Sequence, residues 1–134
     1  MNNDILLDKI LNYTQRLMTI KKHGYDKQKE FVFDSLIRAA AAMGTTFSDL
    51  MYPLNKADFV LKLQIALKKA AETEYWLKLY KKAADIHGEE ITSLLNESLE
   101  LKKIFMASIS ASKSGKQPES KVIVKADGDD SFKS

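Results

Sequence analysis

The stretch NKADFVLKLQIALKKAAETEYWLKLYKKAA, residues 55–84, decides the fold class of this chain. Its apolar residues recur every three or four positions, as the buried stripe of a long amphipathic helix requires. They are Phe59, Leu63, Ala66, Leu67, Ala70 and Leu77. Asn55 is a strong N-cap residue, Asp58 suits the positive end of the helix dipole, and Leu54 has the spacing of a hydrophobic staple with Phe59. We therefore predict a helix that starts at Asn55.

Three further helices are predicted on either side of this one. They cover residues 4–22, 27–51 and 89–111, and short breaks at residues 23–25, at Pro53 and at residues 87–88 separate them. In the first helix Leu11 and Met18 belong to the predicted buried stripe, and Asp26 is placed to cap the second. The predicted buried stripe of the second helix is Val32, Leu36, Ala39, Ala40, Met43, Phe47 and Leu50. Because every connection is short, neighbouring helices should run antiparallel. The sequence predicts an all-α protein, an up-down-up-down four-helix bundle.

Composition changes after Ala111, and the remainder of the chain has the character of a tail. Residues 112–134 are rich in Ser, Lys, Asp and Gly and nearly lack large apolar side chains, which is typical of disorder. We assign residues 1–111 to the bundle and 112–134 to a disordered tail. The apolar run at residues 122–124 has two interpretations: it is a strand that adds to the edge of a sheet, or an apolar segment that the tail tolerates and that has no role.

Bulk composition excludes several classes of protein. The 134 residues suit one domain, and the absence of cysteine excludes disulfides and Cys-ligated metal centres. The N-terminus lacks the basic region of a secretory signal, and no apolar run approaches the ~20 residues of a membrane span. We expect a cytoplasmic protein with no membrane partner.

Catalytic and cofactor sites find little support in the sequence. His23 and His87 lie at helix ends beside glycine, and neither has a ligand at metal-binding spacing. The Glu-x-x-His pairs of bundle di-iron proteins are absent. Glu72 and Glu74 are two residues apart and so point in different directions on a helix. We predict a non-enzymatic protein with no cofactor, metal or small-molecule substrate.

Both central helices carry a second face that one bundle cannot easily bury. On the second helix this face holds Phe31, Ser35, Arg38, Ala42, Thr45 and Asp49, spaced four and three apart. On the third helix Leu61, Ile65, Trp76 and Ala83 project away from the main stripe. Exposed apolar surface usually marks association, and tryptophan is common at interface hot spots. We predict self-association with Trp76 as an anchor; the alternative is that Trp76 packs within its own bundle.

Arg38 is the charged member of that second face, and three interpretations are open. It forms an ion pair with Glu72, Glu74 or an acid of a neighbouring copy, or it is solvated, or it contacts a phosphate or RNA. The candidate assembly residues are Arg38, Asp49, Leu61, Ile65, Glu72, Glu74 and Trp76.

The lysines of the third helix suggest a rival function. Net charge is only +3, yet seven lysines stand against three acids within residues 55–84. Such lysines are either a solvated face or an electrostatic footprint for RNA. The candidate RNA contacts are Lys68, Lys69, Lys78, Lys81 and Lys82. Two functions therefore stay open, a self-associating scaffold or adaptor and an RNA-associated protein.

Residues 35–85 also resemble a known family, the four-helix bundle proteins whose founding members are encoded in intervening sequences of bacterial 23S ribosomal RNA genes. The motifs LIRAA, ADF, KL, IALK and ETEYWL, at residues 36–40, 57–59, 62–63, 65–68 and 72–77, carry the resemblance. It implies a ring-like homo-oligomer, typically a pentamer, in a family of mostly unknown function. A related branch comprises basic accessory proteins of diversity-generating retroelements, which help a reverse transcriptase handle RNA.

The chain departs from this family pattern on one helix face. Where the family usually has Ser, Asn and Glu, this chain has Ala42, Thr46 and Asp49. A threonine does not offer the hydrogen bonds of an asparagine amide, so no role of that polar face is carried over.

Overall fold

Four helices form the described part of the protein. A computed structural model describes residues 3–22 and 26–114. Its helices are α1 (Asn3–Met18), α2 (Lys27–Leu50), α3 (Lys56–Ala83) and α4 (Glu89–Lys113). No strand occurs among these residues, and the predicted all-α class is confirmed. Within the same ranges, no helix has both the length and the apolar character needed to cross a membrane.

Side-chain caps start α2 and α3 at the predicted positions. The Asp26 carboxylate accepts the backbone N–H groups of Gln28 and Lys29, at 3.0 and 3.2 Å. The Asn55 side-chain oxygen accepts the N–H of Asp58 at 2.8 Å. These bonds satisfy donors that the first turn of a helix leaves without intrahelical partners. Both N-cap predictions are confirmed.

The predicted hydrophobic staple at the start of α3 is wrong. Phe59 is fully buried, but Leu54 is 86% exposed and does not cover it. Instead, Asp58 accepts the backbone N–H of Leu54 at 3.0 Å, and this bond is the main reason that the pKa of Asp58 lies below its ordinary value. A polar contact therefore fixes how the chain enters α3.

The outer helices end at different residues than predicted. α1 ends at Met18, and the N–H groups of Thr19 and Ile20 turn back to the carbonyls of Arg16 and Leu17. α4 continues to Lys113, two residues past the predicted end of the bundle. The predicted break at residues 23–25 and the tail from residue 115, with its apolar run at 122–124, lie outside the described residues.

The helices pack in the predicted up-down-up-down order. Each helix contacts the next one along the chain, and α4 returns to contact α1. Contact is most extensive between α2 and α3, where the buried residues Ala39, Ala66 and Ala70 allow close approach, and sparsest between α1 and α4.

The core confirms the predicted stripe of α2 and corrects that of α1. Every predicted apolar residue of the α2 stripe is buried; they are Val32, Leu36, Ala39, Ala40, Met43, Phe47 and Leu50. In α1 the buried residues are Leu6, Ile10, Tyr13 and Leu17. The helix is thus turned to bury the Tyr13 ring, whose hydroxyl hydrogen-bonds Ser98 of α4. Leu11 and Met18, predicted to be buried, are exposed as a result.

Candidate assembly surface on the second and third helices

The antiparallel packing of α2 against α3 brings most of the predicted assembly residues onto one side of the bundle. We call this side the α2–α3 outer surface. From α2 it contains Phe31, Ser35, Arg38, Ala42, Thr45 and Asp49, and from α3 it contains Leu61, Ile65, Lys68, Lys69, Glu72, Tyr75 and Trp76. Six of these residues, together with Ala39, line a groove between the two helices; they are Ser35, Arg38, Ala42, Lys69, Glu72 and Trp76.

Three aromatic rings form one end of this surface. The Trp76 ring lies edge-to-face against Phe31, with centroids 5.9 Å apart, and against Tyr75, with centroids 5.2 Å apart. Trp76 is half-buried and packs on the core, whereas Phe31 is 63% and Tyr75 is 60% exposed. Trp76 therefore packs within its own bundle, and its ring joins the core to an exposed aromatic cluster. Its role as an anchor of self-association stays a prediction.

Arg38 lies in the middle of the surface with its charge unpaired. It is exposed and forms no ion pair within the described ranges, although Asp34 is one helical turn away. The predicted pair with Glu72 or Glu74 is not formed. Glu72 pairs with Lys69 at 3.2 Å, since these residues are three apart on the same helix. A guanidinium is thus left available on a half-apolar surface.

Glu74 does not belong to the α2–α3 outer surface, contrary to the prediction. Its carboxylate meets the Lys102 ammonium of α4 at 2.5 Å, and both side chains are largely buried. The helical turn explains this, because the two positions that separate Glu74 from Glu72 rotate its side chain to the other flank of α3. Glu74 therefore holds α3 to α4.

The far end of the surface combines an ion pair with exposed leucine. The Lys62 ammonium lies 2.9 Å from Asp49 of α2 and 3.0 Å from Asp58, and these hydrogen bonds raise the pKa of Lys62, that to Asp49 most strongly. Asp49 is therefore already engaged within its own chain. Leu61 is exposed and Ile65 is half-buried, so this end has apolar side chains beside an ion-paired cluster of one lysine and two aspartates.

The five predicted RNA-contacting lysines do not share one face. Lys69 pairs with Glu72, and Lys78 lies 3.7 Å from Glu74. Lys68 and Lys81 are thirteen residues apart, which separates them by about 140° around the helix. Lys68 and Lys82 are exposed and form no ion pair with a described residue.

A polar seam between α1 and α4 escaped the sequence interpretation. We call it the α1–α4 seam; it consists of Lys9, Tyr13 and Arg16 of α1 with Glu90, Ser93, Glu97, Ser98 and Glu100 of α4. Its signal was the spacing of the charges, because the α1 residues are four and three apart and the acids of α4 follow a matching period.

Arg16 is the centre of that seam. Its guanidinium contacts Glu90 at 3.0 Å, Glu97 at 3.2 Å and the Ser93 hydroxyl at 2.9 Å. The hydrogen bond to Glu90 raises the pKa of Arg16 and lowers the pKa of Glu90. Lys9 extends the seam with a 2.7 Å pair to Glu100.

No group of three or more His, Asp or Glu side chains is placed to hold a metal ion in residues 3–22 and 26–114. His87 lies 2.7 Å from Asp85, and the contact lowers the pKa of that carboxyl. This exposed pair lies in the α3–α4 loop, away from the α2–α3 outer surface.

The chain is similar to a protein of known structure. That protein, of unknown function and from the S23 ribosomal protein family, comes from Bacteroides thetaiotaomicron. The two are 33% identical, with a TM-score of 0.69, over 81% of this chain and 97% of the other. Neither a family profile nor a curated protein matches the chain.

Proposed function

This chain belongs to the S23 ribosomal protein family, and we propose that it acts as a self-associating scaffold whose copies join through the α2–α3 outer surface. The role is structural rather than catalytic: the surface offers another protein chain contact area and the Arg38 guanidinium, which forms no ion pair with a described residue. The family resemblance favours a closed ring of five copies.

The unpaired Arg38 between two apolar ends carries this proposal. A guanidinium gains most from a carboxylate that approaches in a water-excluded contact, where bidentate hydrogen bonds form. Exposed Phe31 and Tyr75 at one end, and Leu61 at the other, supply apolar area that association removes from water. Half-buried Trp76 gives the aromatic end a rigid base of the kind found at interface hot spots.

The mass of the full-length chain in solution tests the proposal. We expect sedimentation equilibrium of the wild-type chain to give a defined oligomer. Arg38→Glu and Leu61→Asp should each weaken association about tenfold or more, because each places an unfavourable charge in the contact. Lys103→Glu is the matched control, since Lys103 is exposed on α4 and forms no ion pair with a described residue. A wild-type chain that is monomeric at high concentration would contradict the proposal.

A second candidate function is RNA association, and one observation favours it. Lys68, Tyr75 and Lys82 recur every seven residues, which places two exposed lysines and an exposed ring along one line of α3. Such lines bind single-stranded RNA through phosphate contacts and base stacking. The resemblance to proteins encoded within ribosomal RNA genes points the same way.

Salt dependence separates this candidate from scaffolding. If RNA is the partner, affinity for a single-stranded oligonucleotide should fall steeply with salt, and Lys68→Gln/Lys82→Gln should flatten the slope by about 1–2. Affinity that is weak at low salt, or unchanged in this variant, would remove RNA as the partner. Lys103→Gln/Lys113→Gln is a control with the same loss of charge on α4.

A further inference from the structure

The outer face of α1 is an unpartnered surface that the bundle leaves exposed. Leu11 and Met18 are large apolar residues on this face, and they are 55% and 53% exposed. Because α1 is turned to bury Tyr13, these side chains point away from the core. The α1 face therefore has apolar area that no described residue covers.

The charged residues that lie nearest to Leu11 on this face are acidic. Asp4 and Asp8 are exposed, lie one helical turn apart, and form no ion pair with a described residue. The cations of α1 do not neutralise them, since Lys9 pairs with Glu100 and Arg16 pairs with Glu90 and Glu97 across the α1–α4 seam. Two carboxylates that have no ion-pair partner in the described ranges thus lie on the same face as exposed Leu11 and Met18.

The α2–α3 outer surface also has exposed apolar side chains, but the charge opposite to that of the α1 face. Its acids have ion-pair partners within the same chain: Asp49 shares Lys62 with Asp58, and Glu72 pairs with Lys69. Of the charged residues that define this surface, Arg38 and Lys68 form no ion pair with a described residue.

We propose that the α2–α3 outer surface of one copy binds the outer face of α1 of the next copy, head to tail, with Arg38 and Lys68 against Asp4 and Asp8. This inference rests on the proposed self-association and names the partner surface. Pairing two α2–α3 outer surfaces face to face would instead bring like charges together. A head-to-tail contact leaves one free surface of each kind on every pair, so further copies add until a ring closes.

Charge reversal on each surface tests this arrangement. The variant Arg38→Glu/Lys68→Glu reverses the α2–α3 outer surface, and Asp4→Lys/Asp8→Lys reverses the α1 face. Each alone should weaken homo-association about tenfold or more. Combining all four changes in one chain should restore association to within about threefold of wild type, because opposite charges meet again. Lys103→Glu/Lys113→Glu and Glu89→Lys, on exposed α4 residues, are the controls and should assemble like wild type.

Mixing the two reversed variants gives a second, independent readout. One variant keeps an intact α1 face and the other an intact α2–α3 outer surface, and their two reversed surfaces also carry opposite charges. A mixture should therefore form one-to-one mixed oligomers in which the two variants alternate. Native mass spectrometry distinguishes these from homo-oligomers if one variant is isotopically labelled. Circular dichroism melting of each variant at low concentration shows whether it folds. If a double variant does not fold, Asp8→Lys or Arg38→Glu alone replaces it.

The outcomes separate this inference from the proposed function. Head-to-tail pairing is overturned if Asp4→Lys/Asp8→Lys assembles like wild type while Arg38→Glu/Lys68→Glu dissociates; the α2–α3 outer surface would still be an assembly site. A mixture that stays monomeric, or a four-change chain that fails to reassemble, also overturns it. A monomeric wild-type chain overturns both.

Discussion

The α1–α4 seam and the α2–α3 outer surface each hold one of the chain's two arginines and one tyrosine, in opposite surroundings. In the seam, Arg16 contacts two glutamates and a serine, and Tyr13 is fully buried. On the outer surface, Arg38 has no ion-pair partner in the described ranges, and Tyr75 is exposed. The same residue types are therefore paired and buried within the chain in the seam, and are left without such contacts on the outer surface.

The difference shows which polar residues stabilise the fold and which are available for association. α1 and α4 make the sparsest helix contact, and the seam adds charged and hydrogen-bonded pairs there. α2 and α3 make the most extensive contact through small buried residues, so their outer side chains are not needed to join them. The fold should therefore depend on Tyr13 and Arg16, and assembly should depend on Arg38 and its apolar neighbours.

Truncating the two tyrosines should give the largest contrast. Tyr13→Ala empties a fully buried site and should lower the free energy of unfolding by about 3–5 kcal/mol, whereas Tyr75→Ala should change it by less than about 0.5 kcal/mol. Urea denaturation of both variants, at a protein concentration too low for assembly, measures the two changes in free energy. Equal losses would break the comparison, because the exposed ring would then be part of the fold.

Alkaline pH should weaken the seam through Tyr13. Burial raises the pKa of Tyr13 from 10.0 to about 12, so between these values the unfolded chain loses the phenolic proton and the folded chain keeps it. Stability from this group is complete below pH 10 and falls as pH rises, by about 1 kcal/mol at pH 11. Urea midpoints at pH 9 and pH 11 measure the loss. Tyr13→Phe should lack this component and Tyr75→Phe should retain it; the opposite pattern would contradict the burial argument.

Truncating the two arginines should give a smaller contrast in stability. Arg16→Ala removes a partly exposed ion-pair network and should cost about 0.5–1 kcal/mol of unfolding free energy. Arg38→Ala should leave the unfolding free energy of the dilute chain within about 0.5 kcal/mol of wild type. Chemical denaturation of both variants checks this. If Arg38→Ala costs as much as Arg16→Ala, Arg38 has a role within its own bundle.

Substitution of Leu54 should show where the outer surface ends, because we expect it to change neither stability nor association. It is more exposed than Leu61 but lies in the loop before α3, and it does not cover Phe59. Leu54→Ser should leave stability within about 0.5 kcal/mol and association unchanged, while Leu61→Ser should weaken association several-fold, about 1 kcal/mol. Sedimentation of both variants measures their association. If the two substitutions weaken association equally, the outer surface includes the loop before α3.

Local features of the fold were predictable from sequence. The caps at Asp26 and Asn55 and the buried stripe of α2 depend on residues within a turn or two, so spacing and residue type suffice. The bundle order followed from short connections. The orientation of α1 was not predictable in this way, because several apolar registers are available and tertiary contact with Ser98 of α4 accompanies the one that buries Tyr13.

The candidate surface was predictable as a set of positions but not as a set of contacts. Spacing placed Arg38, Leu61 and Trp76 outside the main stripes, and they share one side of the bundle. Spacing alone could not predict which lysine each glutamate would pair with. Glu74 reaches Lys102 because α4 packs on that flank of α3, a fact of tertiary packing rather than of sequence period.

Native mass of three chains tests the central claim most directly: wild type, Arg16→Ala and Arg38→Ala, each at the same concentration. We predict that wild type and Arg16→Ala form the same oligomer, because Arg16 acts within its own chain. Arg38→Ala should dissociate to smaller species, with association about tenfold weaker. A monomeric wild type, or an Arg38→Ala chain that assembles as fully as Arg16→Ala, would contradict the claim that the α2–α3 outer surface is where copies join.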